Sequence, residues 1–150
     1  MVQNRWTWVD DKDLVPISYE VKRGALCSRW YGDVTPTDVA SYWRKATNDP
    51  AVIATGRSLA DIREAQFAIS WKDLDDLIAR VLDPAMAGGR KWRVAVVLDR
   101  DAQAGFARQF LASAGHFATV AAFTSEDPAW RWLLDLTDRG EQARWTSPKG

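Results

Sequence analysis

Cysteine and histidine are nearly missing from this 150-residue chain, which has one of each, Cys27 and His116. A single cysteine excludes an internal disulfide framework and any multi-cysteine zinc or iron–sulfur site. A single histidine excludes a poly-histidine metal centre. An excess of one charge sign is missing too. Twenty basic residues meet twenty acidic ones, which argues against nucleic acid or an anionic membrane surface as the main partner. No apolar run approaches the roughly 20 residues needed to span a bilayer. The opening MVQNRWTWVDDKD lacks the cationic start and apolar stretch of a secretory signal. We therefore expect a cytoplasmic protein whose lone thiol stays reduced. There is also no P-loop, no Gly-x-Gly-x-x-Gly, no His-Glu-x-x-His and no nucleophile elbow.

What is there is enough apolar material for a core: 47% of the residues are hydrophobic, and this length favours one domain. We divide the chain into an N-terminal extension (1–15), a folded domain (16–136) and a polar C-terminal tail (137–150).

Ile17, Tyr19 and Val21 alternate with polar residues, the period of a half-buried strand. Lys22-Arg23-Gly24 turns the chain, and Ala25 to Tyr31 returns as a second strand ended by Gly32-Asp33. Thr35-Pro36-Thr37-Asp38 is a helix start, with Thr35 as cap, Pro36 in the first turn and Asp38 favoured by the helix dipole. Val39, Tyr42, Trp43 and Ala46 give that helix one apolar face, and Asn48-Asp49-Pro50 stops it. Ala51 to Gly56 reads either way. A strand is expected around Ser58 to Arg63. Ser70 caps a second helix with Trp71, Leu74, Leu77, Ile78 and Val81 inward, ended by Asp83-Pro84. Trp92 to Leu98 has the β-branched run of a central strand. A helix from about Ala102 to Ala114, ended by Gly115, precedes a strand from Phe117 to Phe123. Ser125 caps a last helix that buries Trp130 and Leu133.

The order is ββαβαβαβα. It predicts an α/β fold: a mixed sheet of about five strands, the first antiparallel, with about four helices joined by right-handed crossovers. This order resembles the SpoIIAA-like fold, the home of STAS domains, and is most similar to small bacterial proteins of that superfamily with no assigned role. The residues that carry the resemblance are Tyr31-Gly32-Asp33-Val34-Thr35, Leu59-Ala60-Asp61-Ile62-Arg63, Arg93-Val94-Ala95-Val96-Val97, Gly105-Phe106-Ala107-Arg108 and Phe123-Thr124-Ser125-Glu126-Asp127. They cover about residues 16 to 135. The resemblance implies a non-enzymatic binding or regulatory module that acts through protein contacts. Anti-sigma antagonists of this group are phosphorylated on a serine that opens the second helix, within an Asp-Ser-Ser-Gly-like motif. Ser70 stands at that position, but Ile69 and Trp71 flank it. We read Ser70 as a helix cap and not a phosphosite; Asp73, Asp75 and Asp76 would oppose added phosphate.

Asp61 and Arg63, two apart on a strand, point to one face and form a candidate site for a polar ligand. Arg108, three residues after Gly105, is a candidate anion ligand, with Gly105 letting another backbone approach closely. His116 follows a helix end and reads as structural. Cys27 reads as a small apolar side chain. Nine tryptophans are unusual. Trp43, Trp71 and Trp130 fall on inward helix faces. Trp6, Trp8, Trp30, Trp92, Trp132 and Trp145 are harder to bury together, and of these Trp6, Trp8 and Trp30 are the candidates for a partner surface. The partner is expected to be a protein or a second copy of the chain, with a small apolar ligand as the alternative. In that alternative a cavity of roughly 300 Å3 or more should lie between helices and sheet. No cofactor is expected. An enzyme is the remaining alternative, with carboxylates such as Asp33 and Asp61 as the place to look.

Overall fold

The computed structural model describes residues 16–134. Trp6, Trp8 and Trp145 lie outside the described residues.

The hairpin forms as expected, but its second strand runs on through Gly32-Asp33, which were expected to end it, because they pair with the next strand. β1 (Ile17–Lys22) pairs antiparallel with β2 (Ala25–Val34), and Arg23 and Gly24 take positive φ at the turn. α1 (Pro36–Thr47) starts on a capping box in which Thr35 Oγ1 accepts from Asp38 N and Asp38 Oδ2 accepts from Thr35 N. The ambiguous stretch after it is a single helical turn, α2 (Pro50–Ile53), capped by Asp49. β3 (Arg57–Phe67) is longer than its pattern suggests, because it pairs in parallel with β2 as far as Val34↔Phe67.

α3 (Trp71–Leu77) starts where Ser70 Oγ accepts from Asp73 N at 3.0 Å. The expected stop at Asp83-Pro84 is overturned. The chain continues through a π-helical segment (Ile78–Leu82) into one more α-turn (Asp83–Met86). Proline fits there because it occupies the first turn of that last segment, where its missing N–H has no partner to lose. β4 (Trp92–Val97), α4 (Arg100–Ala114), β5 (Ala118–Phe123) and α5 (Glu126–Leu134) complete the series. Five helices are described, against the four expected.

The sheet order is β1-β2-β3-β4-β5, and every pair after the hairpin is parallel. This order decides the layering. Each new strand is added on the same side of the last, so right-handed crossovers place α1, α3 and α4 on one face. That face holds the larger core, including Trp30, Tyr42, Trp43, Ile62, Val96, Phe106 and Phe110. The opposite face carries a smaller cluster, in which α5 lays Trp130, Trp132 and Leu133 over Leu59, Ala95, Val97 and Ala121. The β1–β2 half of that second face holds polar side chains.

Tryptophan placement corrects two expectations. Trp71, read as core, is 41% exposed. Its indole lies over Gly105, with Cζ2 3.1 Å from where a Cβ would be; Gly105 thus admits a side chain and not a backbone. Trp30, read as available to a partner, is 2% exposed and donates from Nε1 to Ser28 Oγ at 2.9 Å. Trp130 and Trp132 are buried, with Arg23 and Arg93 stacked 4.3 and 4.0 Å from their rings.

Candidate functional site

Asp61 and Arg63 lie on one face of β3, as their spacing suggests, and they bond to each other. Arg63 Nε donates to Asp61 Oδ1 at 3.0 Å and Nη2 to Oδ2 at 2.8 Å, a two-point contact. The backbone adds a third bond, Arg63 N to Asp61 Oδ1 at 3.1 Å. A β-bulge makes this geometry possible. The β2–β3 register steps from Arg29↔Asp61 to Tyr31↔Glu64, so β3 carries one extra residue at this point. Ile62 turns into the main core, while Asp61 and Arg63 stay on the other face. The pair therefore sits in mid-strand and not at the carboxyl end of β3.

Two residues missed by the sequence reading complete the cluster. Arg29, opposite Asp61 on β2, lies 3.9 Å from Asp61 and 3.7 Å from Glu126. Glu126, at the start of α5, accepts from Arg63 Nη2 at 3.4 Å. Burial by itself would raise the Asp61 pKa, but the side-chain and backbone bonds from Arg63 outweigh it and hold the carboxyl below its usual range. Arg63 is raised in turn, chiefly by its bond to Asp61. Arg29 is different: its side chain is 59% exposed, and it makes these two ion-pair contacts but no hydrogen bond to a described residue.

Arg29, Asp61 and Glu126 of this cluster form one wall of a groove of about 480 Å3 on the face left open by the crossover helices, and Arg63 is not among its lining residues. Ser18, Glu20 and Lys22 of β1 line its outer side, Trp130 of α5 its inner side, and Cys27 and Leu59 its floor. Cys27 is half-buried there, and burial pushes its thiol pKa up. Asp33 is exposed and does not line the groove. Arg108 is exposed on α4, across the sheet from the groove, and takes no part in it. His116 pairs with Asp83 at 2.5 Å, also away from the groove. Among the described residues no group of three or more His, Cys, Asp or Glu side chains is placed to hold a metal, and no helix is long and apolar enough to cross a membrane.

A crystal structure of an uncharacterised protein of the DUF3478 family from Shewanella loihica PV-4, described as SpoIIAA-like, matches with a TM-score of 0.52. The two sequences are 18% identical, and the match covers 78% of this chain and 91% of that one. This chain has a SpoIIAA-like fold. Two structures of SpoIIAA are similar at a lower level. The anti-sigma factor antagonist in its unphosphorylated form gives a TM-score of 0.47 at 14% identity, over 80% of this chain and 99% of that one. The Bacillus cell fate determinant in its phosphorylated form gives 0.43 at 15%, over 77% and 98%. No protein-family model and no curated protein matches the sequence.

Within the SpoIIAA-like frame, Ser70 opens the second long helix and its hydroxyl is engaged as the N-cap. The main core leaves an apolar-lined cavity of about 80 Å3 among Trp30, Trp43, Phe106 and Phe110.

Proposed function

We propose that this chain is a non-enzymatic binding module whose protein partner docks in the groove between β1–β3 and α5. The observation that carries the reading is Arg29. Its guanidinium projects into the groove, while the neighbouring Asp61 is already saturated by the Arg63 fork. An incoming acceptor on a partner can take bonds that no described residue of the chain takes, on a floor made rigid by three paired strands.

Two further observations support this reading over its rivals. The cavity of about 80 Å3 is far below the roughly 300–1,000 Å3 of small-molecule sites, which speaks against a carrier of an apolar ligand. In the groove, the carboxylates are engaged in ion pairs and the Cys27 thiol is pushed up, opposite to the activation a nucleophile needs.

The test is cross-linked capture from host extract with the full wild-type chain and with Arg29→Ala, quantified side by side. Arg29 is exposed, so the variant should keep its melting temperature and lose at least roughly tenfold of the partner recovered by wild type. Equal recovery of every protein by both chains would end the reading.

A further inference from the structure

β1 is the outermost strand of the sheet among the described residues. Pro16 O accepts from Tyr31 N at 2.8 Å, which sets the phase of the β1–β2 ladder. Ser18, Glu20 and Lys22 turn their N–H and C=O groups toward β2. Ile17, Tyr19 and Val21 turn theirs outward, to the edge that no described strand pairs with. Val21 is also 41% exposed, while Ile17 is buried and Tyr19 is packed against the core.

We propose that two copies of this chain join along β1, antiparallel, about a two-fold axis at Tyr19. A two-fold contact between identical strands must be antiparallel, and the outward groups must face one another as hydrogen-bonded pairs. Few registers satisfy both conditions, and charge selects among them. Centring on Glu20 sets it directly against its own copy, a like-charge pair. Centring on Val21 or on Ser18 runs the overlap off one end of the strand. Centring on Tyr19 uses all of Ile17 to Val21. Val21 is then covered by the second copy's Ile17, and Glu20 meets the second copy's Ser18, whose hydroxyl can donate to it. Lys22, 3.7 Å from Glu20, keeps the charged stripe neutral. Ile17, Tyr19 and Val21 each exchange backbone bonds with their opposite number. The result is a continuous sheet across two chains that leaves the groove of each on the same side. The contact is narrow, so the dimer belongs to the weak class.

Sedimentation equilibrium of the full chain, from low to high micromolar concentration, tests this against the 16.9 kDa monomer. A reversible monomer–dimer equilibrium is expected. Val21→Pro removes an outward N–H and no hairpin bond, so it should weaken the dimer at least roughly tenfold and leave the far-ultraviolet circular dichroism unchanged. Val21→Lys, which places two ammonium groups at the contact, serves if the proline variant is unfolded. A wild-type monomer at all concentrations, or a dimer that a folded Val21 variant does not weaken, overturns the proposal.

Discussion

The side-chain amide of Gln103 donates from Nε2 to the carbonyl oxygen of Arg63 at 3.1 Å. The same Nε2 donates to Ala65 O at 3.2 Å, and Oε1 accepts from Asp99 N at 2.6 Å. The last β3–β4 pair is Asp61↔Val97, so beyond it β3 has no strand on that side. Gln103, 3% exposed at the start of α4, takes the place of that strand. It also steadies the backbone that brings Arg63 to Asp61. Gln103→Leu keeps the volume and leaves these groups unpaired, at roughly 1–3 kcal/mol for a buried unsatisfied group. A loss of about 3 kcal/mol in urea unfolding is expected; a loss under about 0.5 kcal/mol would show that water or backbone movement replaces the amide.

Asp61 should make stability depend on acid in one direction. Its folded pKa lies below the ordinary value because the Arg63 bonds outweigh burial. Its contribution is therefore present above the unfolded pKa of about 3.9 and is lost as pH falls through the folded one. Arg63 is partly exposed, so we expect a modest effect of about 1 kcal/mol. Thermal melts of wild type and Asp61→Asn should differ near neutrality and converge in acid below about pH 4. A gap that widens on acidification would contradict the sign.

Ser70 acts as a cap through its oxygen, not as a hydroxyl donor. Ser70→Ala should cost about 1 kcal/mol, while Ser70→Asp, which caps equally well, should stay within a few tenths of wild type. Urea midpoints of the three proteins decide it. An aspartate variant as unstable as the alanine variant would mean that the cap bond is not what Ser70 contributes.

Gly56 combines a φ of +65° with a close neighbour: an added Cβ would lie 2.5 Å from Arg90 Nε. Arg90 is held there by its bond to Ala54 O at 2.7 Å. Gly56→Ala should destabilise by about 2 kcal/mol, since the left-handed conformation alone costs roughly 1–2 kcal/mol. In an Arg90→Ala background the penalty should shrink to that backbone part. Strictly additive losses would show that the arginine simply swings away.

Helix starts were readable in the sequence because capping is settled within four residues. Thr35, Asp38 and Ser70 meet their partners whatever the rest of the chain does. The Asp61–Arg63 pair was readable for the same reason, since two residues apart on a strand means one face. Arg29 and Glu126 were not, because Glu126 reaches Arg63 across 63 positions of sequence. Gln103 left no signal, since a glutamine near a helix start is ordinary until a broken strand pairing needs it. Trp71 and Trp30 were assigned the wrong way round. Periodicity ranks the faces of one element, and only the neighbouring element decides how deeply a face is covered.

The sequence alone determined the order of the strands along the chain, the hairpin and the helix caps at Thr35 and Ser70, which follow from short-range sterics, hydrogen bonding and apolar period; the SpoIIAA-like class came from the resemblance of its motifs to that group. The tertiary structure decided which face of the sheet stays open, where the β3 bulge aims Arg63, and which charges meet there. Those outcomes depend on strand order and crossover hand acting over the whole chain, and no local stretch of residues encodes them.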